Sequence, residues 1–308
     1  MKIIAPAYYA DFKCVAASCR NSCCVGWEVD IDGETLDLYG KMTHPYARNI
    51  RESIDRSGEP HFRLGDGERC PHLAASGLCN IITECGEQTL CQVCRDHPRY
   101  RNFYDGVTEL GLGLSCEEAA RLALSGPCGF IVSDTEDMTD TEYVDEYPKE
   151  LFSGDDSLVV EEKSALLAIS ADSTEGVEKR LSRLLPKMPS LDEIKELFLS
   201  LEILDDTWTE HISRLSAEDF RLDFEKYGDL IERTIVALLF RHLTAESFYS
   251  PTVTAAFAAL SSLVVAALSG TPEGFADTLR AFSAEVEYST ENTERILDFI
   301  EERMQYEI

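Results

Sequence analysis

All eleven cysteines of this 308-residue chain lie at or before Cys128, and the 180 residues that follow have none. Random scatter does not give such a distribution. The first part of the chain must therefore be organised around thiol chemistry and the second around apolar burial alone. The cysteines are Cys14, Cys19, Cys23, Cys24, Cys70, Cys79, Cys85, Cys91, Cys94, Cys116 and Cys128. An odd number cannot pair completely within one chain. The N-terminal MKIIAPAYYADFK lacks an apolar core of adequate length before Asp11, so no secretory leader is visible and a cytoplasmic location is expected. In a reducing compartment, clustered cysteines point to metal or redox chemistry more than to disulfides. A disulfide framework and inert buried thiols are the competing readings. Cys85 and Cys128 are the candidates for inert thiols.

Thiolate-rich sites suit zinc or iron–sulfur clusters. Only Cys91 and Cys94 have the two-residue gap of a zinc knuckle, so a double-knuckle ribbon is poorly supported. The three-cysteine signature of radical enzymes is absent. Ligands collected from several loops fit the spacing, which leaves zinc and iron both open. In SCRNSCCVGW, residues 18–27, adjacent side chains diverge. One of Cys23 and Cys24 is therefore expected to face the metal, with Trp27 as an apolar wall.

The formal net charge is −29, which argues against a phosphate-backbone binder and against docking on an anionic membrane. No nucleic-acid or membrane partner is expected. Residues 1–130 carry 13 basic and 18 acidic side chains, and the remainder carries 15 and 39. The acidity thus lies in the second half, as a solubilising surface or as a face for a basic partner. The most apolar stretch, AAFAALSSLVVAAL at 255–268, is short for a membrane span and reads as a buried helix.

The expected fold is mainly α. A Cys-rich metal-binding N-terminal region with short strands spans 1–130, an acidic linker spans 131–163, and an all-helical region spans 164–308. Asp32 or Thr35 caps a helix through about residue 42, and residues 115–124 form another helix. HFRLGDGERCPHL, 61–73, reads as a strand, a turn and a Cys-Pro corner. Residues 134–163 hold 12 acidic and two basic residues and read as a loop. In 191–206, Leu191, Ile194, Leu197 and Phe198 make the apolar face of one helix, and 229–243 a buried one. Helix caps are expected at Thr271 and near Ser289.

No phosphate loop, no H-E-x-x-H motif and no Ser/His/Asp set is visible. The Gly-x-Gly in ELGLGLS, 109–115, is a poor dinucleotide fingerprint, so no Rossmann-type methyltransferase domain is recognised. His72 and His97 read as structural.

Four blocks, taken together, carry a family resemblance: APAYYADFKCVAASCRNSCCVGWEVDID at 5–32, RCPHLAASGLCNI at 69–81, GEQTLCQVCRDHPR at 86–99, and ELGLGLSCEEAARLAL at 109–124. A fainter block is FSAEVEYSTENTERIL at 282–297. The chain resembles the flagellin lysine-N-methylase (FliB-type) family, and parts of these blocks are similar to a wider zinc- or iron-chelating cysteine-cluster family. The resemblance implies an S-adenosylmethionine-dependent methyl transfer to lysines of a protein substrate, flagellin, and a 4Fe-4S cluster, with zinc as the alternative metal. It implies metal ligands among Cys14, Cys19, Cys23, Cys24, Cys70, Cys79, Cys91, Cys94 and Cys116. The other reading is a zinc- or iron-binding structural or redox module without methyl transfer.

Methylating lysine needs its neutral amine, whereas free lysine has a pKa of about 10.4. A desolvated site or a positioned carboxylate or tyrosine must take the proton. Within the matched blocks the catalytic candidates are Tyr8, Tyr9, Glu109 and Glu118, with Glu285 and Glu287 in the fainter block. Arg95, Arg99 and Arg121 flank the cysteines. They are expected to neutralise an anionic cluster or to hold the cofactor's carboxylate.

Overall fold

The computed structural model describes residues 1–171 and 176–305. The chain divides into two compact units. A cysteine unit takes in Lys13–Tyr100 and Cys116–Glu118, and a helical unit takes in Met1–Phe12, Arg101–Ser115 and Ala119–Ile308.

Strand β1 (Lys2–Pro6) opens the chain, its Ile3 and Ile4 buried. β-Branched side chains favour such a pleated, covered position. In the cysteine unit, α1 (Gly33–Lys41) starts at Asp32, whose Oδ1 accepts the Thr35 N–H at 2.9 Å. Helix α2 (Ala47–Ser53) runs into β2 (Ile54–Asp55), which pairs antiparallel with β3 (His61–Phe62). Two short helices follow, α3 (Asn80–Cys85) and α4 (Gln92–Asp96), with Cys79 and Cys91 at their N-caps. The core of this unit gathers Val29, Ile31, Tyr39, Ile50, Ile54, Phe62 and Ile81 with Cys70 and Cys91.

A five-stranded sheet is completed by β4 (Arg99–Tyr104), β5 (Val107–Leu112), β6 (Phe130–Ser133) and β7 (Thr141–Val144), in the order β4-β5-β1-β6-β7. Helix α5 (Glu117–Ser125) lies between β5 and β6 in sequence. Strand β1 runs parallel to β5, with Ile3 opposite Thr108, and antiparallel to β6. The segment 131–163, expected as a linker, supplies most of β6, all of β7, and buried Tyr147 and Phe152. Its acidity is compatible with a strand because β7 is an edge strand, and Thr141, Glu142 and Tyr143 face outward.

The remaining helices are α6 (Ser157–Ala171), α7 (Val177–Leu184), α8 (Leu191–Leu199), α9 (Asp206–Arg214), α10 (Phe224–His242), α11 (Pro251–Ser269), α12 (Phe275–Phe282) and α13 (Thr290–Gln305). Thirteen α-helices among the described residues make the protein mainly α, as expected. Helix α8 ends at Leu199 instead of continuing to 206, because the next backbone N–H groups find tertiary acceptors. Glu202 donates to Asn292 Oδ1 at 2.7 Å, and Leu204 and Asp205 donate to the Glu285 carboxylate. Helix α11 begins with Ser250 as N-cap and Pro251 at the first position. It is the one helix among the described residues long and apolar enough to cross a membrane, yet 78% of that window is buried inside the protein. It packs on α10, α12 and α13 as the central core helix.

The sheet is joined to the helices by a buried ion pair. Lys163 of α6 and Glu109 of β5 are both fully buried, with Nζ 2.7 and 2.8 Å from the two carboxylate oxygens. Lys163 also donates to the Phe240 carbonyl of α10 at 2.9 Å. Tyr147 donates to Glu109 at 2.6 Å, and Asn102 and Tyr104 donate to its other oxygen. The rings of Phe240, Tyr147 and Tyr104 surround the ammonium. Removing one partner strands the other charge in the core, at a cost of about 3–5 kcal/mol. Lys163→Ala is therefore expected to lose stability on that order in urea unfolding. Lys163→Met combined with Glu109→Leu should recover most of it.

Candidate functional site

The loop around Cys23 and Cys24 is pinned to the segment before the Cys-Pro corner. The Cys70 N–H donates to the Cys24 carbonyl at 2.8 Å, and Val25 bridges Arg69. Gly26, at φ +92°, allows the turn and donates to Glu68. Trp27 donates from Nε1 to the Cys23 carbonyl at 2.7 Å and packs against the core of the unit. The adjacent thiols do not diverge as expected, since their side chains hydrogen-bond to each other. Cys24 packs on the core with Cys70, Cys79, Cys91 and Cys94, whereas Cys23 is exposed.

These five thiols sense one another's charge. Burial, and after it the neighbouring cysteines, push Cys70 up to about 12. Burial also raises Cys79, although the N–H groups of Ile82 and Ile81 at the start of α3 point at its sulfur. Hydrogen bonding within the pair holds Cys91 below the ordinary thiol range and raises Cys94. Likewise Cys23 lowers Cys24 and is itself raised. Gathering several potential anions is unfavourable unless a cation joins them. Soft sulfur donors, two of them at helix N-caps, are the donor chemistry of a thiolate-bound metal or cluster. Cys24, Cys70, Cys79, Cys91 and Cys94 would hold it. Among the described residues, no three His, Cys, Asp or Glu side chains already converge on a single point.

Of the remaining thiols, Cys85 also packs against this core, and the others do not. Cys14 and Cys116 act on Cys23 electrostatically, and all three lie outside the buried set. Cys19 donates to the Asn21 carbonyl at 3.3 Å. Glu117 holds that loop by accepting from the Arg20 N–H, Arg20 Nε and Asn21 Nδ2. Cys85 lies 3.3 Å from His44 Nδ1. His72 is buried between the Tyr46 hydroxyl and the Ser53 hydroxyl, and burial pulls its pKa down to about 4, so it is a neutral packing residue. Arg95 is exposed on α4, while Arg99 and Glu118 are half-buried in the same unit. Arg121 is exposed on α5 in the helical unit, near the Ser125 hydroxyl.

Tyr8, Tyr9 and Glu109 belong to the helical unit. Both oxygens of Glu109 are committed to Lys163 inside the core. Glu285 and Glu287 lie on a π-helical turn (Ser283–Glu287) between α12 and α13, a device frequent at functional sites. Burial raises Glu285. Burial also disfavours the Glu287 anion, but Arg241 at 3.4 Å and His242 at 2.8 Å overcome it and hold Glu287 at about 2. Tyr8 feels that carboxylate. Burial first and Glu287 second raise its phenol well above the ordinary value. Tyr8 also lines a cavity of about 830 Å³ with Phe130, Tyr147 and Phe240, and Asp145, Glu146, Asp229 and Glu232 border it.

Lys163, Tyr147 and the cavity rim were not legible as site residues. Lys163 did carry a signal, since it lies on the buried stripe of α6 with Val160, Leu167 and Ser170. The rim acids come from β7's flank and α10, which no local motif joins.

The chain is similar to curated proteins named lysine-N-methylase. It is 26% identical over 139 residues to those of Salmonella choleraesuis and Salmonella typhimurium, covering 42% of this chain and 34% of theirs. It is also 26% identical over 132 residues to the flagellar biosynthetic protein FliU of Salmonella muenchen, covering 40% of this chain and 76% of that protein. The match thus spans about a third of the length of the lysine-N-methylases. These similarities support the resemblance to the FliB-type family read from the cysteine blocks. No family model and no solved structure matches the chain.

Glu287 should govern acid stability. Its carboxylate is depressed from 4.5 to about 2, so the stability it contributes is present above the ordinary value and is lost as pH falls through about 2. The wild-type protein is expected to lose about 3 kcal/mol more than Glu287→Gln between pH 5 and pH 2, by the linkage relation. Urea unfolding across that range measures the difference in slope.

Proposed function

We propose that this chain is a protein-lysine N-methyltransferase that uses S-adenosylmethionine, with a 4Fe-4S cluster or zinc held by the cysteine unit. The observation that carries this reading is the similarity to proteins named lysine-N-methylase. The name of the flagellar relative favours a flagellar protein substrate, flagellin. A cytoplasmic location goes with the reading.

The methyl donor supplies an electrophilic carbon whose bond to sulfur breaks with the electron pair staying on sulfur, while the amine lone pair forms the new bond. The chain's own part is to desolvate the lysine and take its proton. With its raised pKa, Tyr8 stays a phenol at neutral pH and acts as a hydrogen-bonding group to the amine, not as the base. Carboxylates bordering the cavity are the proton acceptors; Tyr9 and Glu118, which do not line it, are the other candidates. Arg95 and Arg99, in the same unit as the thiols, neutralise the anionic charge of a thiolate cluster. Arg121 is left for the carboxylate of the methyl donor.

The second reading is a metal-binding structural or redox module without methyl transfer. It is favoured by the six cysteines packed into or against the core of the cysteine unit. Two measurements separate the readings. Transfer of labelled methyl from S-adenosylmethionine to flagellin, absent from a lysine-free variant of the target, supports the first. Metal content without any transfer supports the second. On anaerobic purification, Cys70→Ser and Cys91→Ser are expected to lose the bound metal, whereas Cys85→Ser retains it. Full metal retention by both core variants would remove these cysteines from the ligand set.

A further inference from the structure

We infer that the cavity of the helical unit seats the lysine side chain of a basic peptide segment, an assignment that takes from the methyltransferase reading only the choice of lysine. At about 830 Å³ the cavity falls within the range of about 300–1,000 Å³ typical of ligand sites. Its walls are apolar and aromatic, with Phe130, Tyr147 and Phe240 buried. Such walls suit a four-carbon stem, and aromatic faces attract an ammonium or a methylated ammonium. Tyr8 is only 8% exposed and lines the cavity.

The charge at the mouth selects the sign of that group. Asp229 is paired with Arg233 at 2.8 Å, and Glu232 is paired with Arg180. Arg183 adds one positive charge to the lining. Against it stand Asp145 and Glu146, neither with a cationic partner among the described residues. Asp145 accepts the Tyr143 hydroxyl at 3.0 Å. The mouth is therefore net negative, and a basic segment docks there more favourably than an acidic one.

Cys128 is an exposed thiol on the lining of the same cavity, which gives a readout independent of catalysis. The full chain is alkylated with N-ethylmaleimide, and modification of Cys128 is followed by peptide mass spectrometry. The probe is a synthetic decapeptide with one central lysine, compared with the same peptide acetylated at that lysine. The lysine peptide is expected to slow Cys128 alkylation at least about fivefold and the acetylated peptide not at all. Asp145→Asn with Glu146→Gln, both at exposed positions, should raise the half-protecting peptide concentration about tenfold. Equal protection by both peptides, no protection, or an unchanged concentration in the double variant overturns the assignment. Protection by S-adenosylhomocysteine alone also overturns it and gives the cavity to the methyl donor. Methyl transfer without peptide protection overturns the cavity assignment and leaves the methyltransferase reading standing. Protection without methyl transfer upholds the cavity and removes that reading.

Discussion

An ammonium group with no exposure to water has to be answered where it sits, and the helical unit is arranged around that requirement. Lys163 enters the core on α6 and meets Glu109 on the sheet, the Phe240 carbonyl on α10, and three aromatic rings. Each of these contacts fixes an element relative to the others, because the cost of a misplaced partner is an unpaired buried charge. The same network sets the orientation of Tyr147 and Phe240, which then form walls of the cavity. The ion pair thus connects the packing of the sheet to the shape of the candidate site.

The cysteine unit poses a different electrostatic problem. Its apolar core is modest, with two cysteines in it and four more packed against it. Burial raises Cys70 and Cys79, and the hydrogen bond with Cys91 raises Cys94, so these three thiols by themselves favour their neutral forms. A bound cation reverses that preference and couples metal affinity to folding. The N-cap positions of Cys79 and Cys91 already present backbone N–H groups to sulfur, as a thiolate site needs.

Much of the local structure was legible because its causes are local. Asp32 and Ser289 start helices through side-chain contacts within three residues. The stop of α8 was not legible, since it depends on Asn292 and Glu285 some 80 to 90 positions away. Nor was the strand in the acidic segment. Composition counts charges, whereas an edge strand asks only that one side of it be paired.

The sequence by itself determined where thiol chemistry is concentrated, which stretch makes the central apolar helix, and that the molecule is mainly helical. Those properties follow from residue type and short-range periodicity. Only the tertiary structure decided which cysteines share a core, that Glu109 is held by Lys163, and that Tyr8 opens into a cavity with an acidic mouth. Each of these depends on pairs separated by tens of residues, whose meeting is fixed by burial and charge compensation and leaves no local pattern to read.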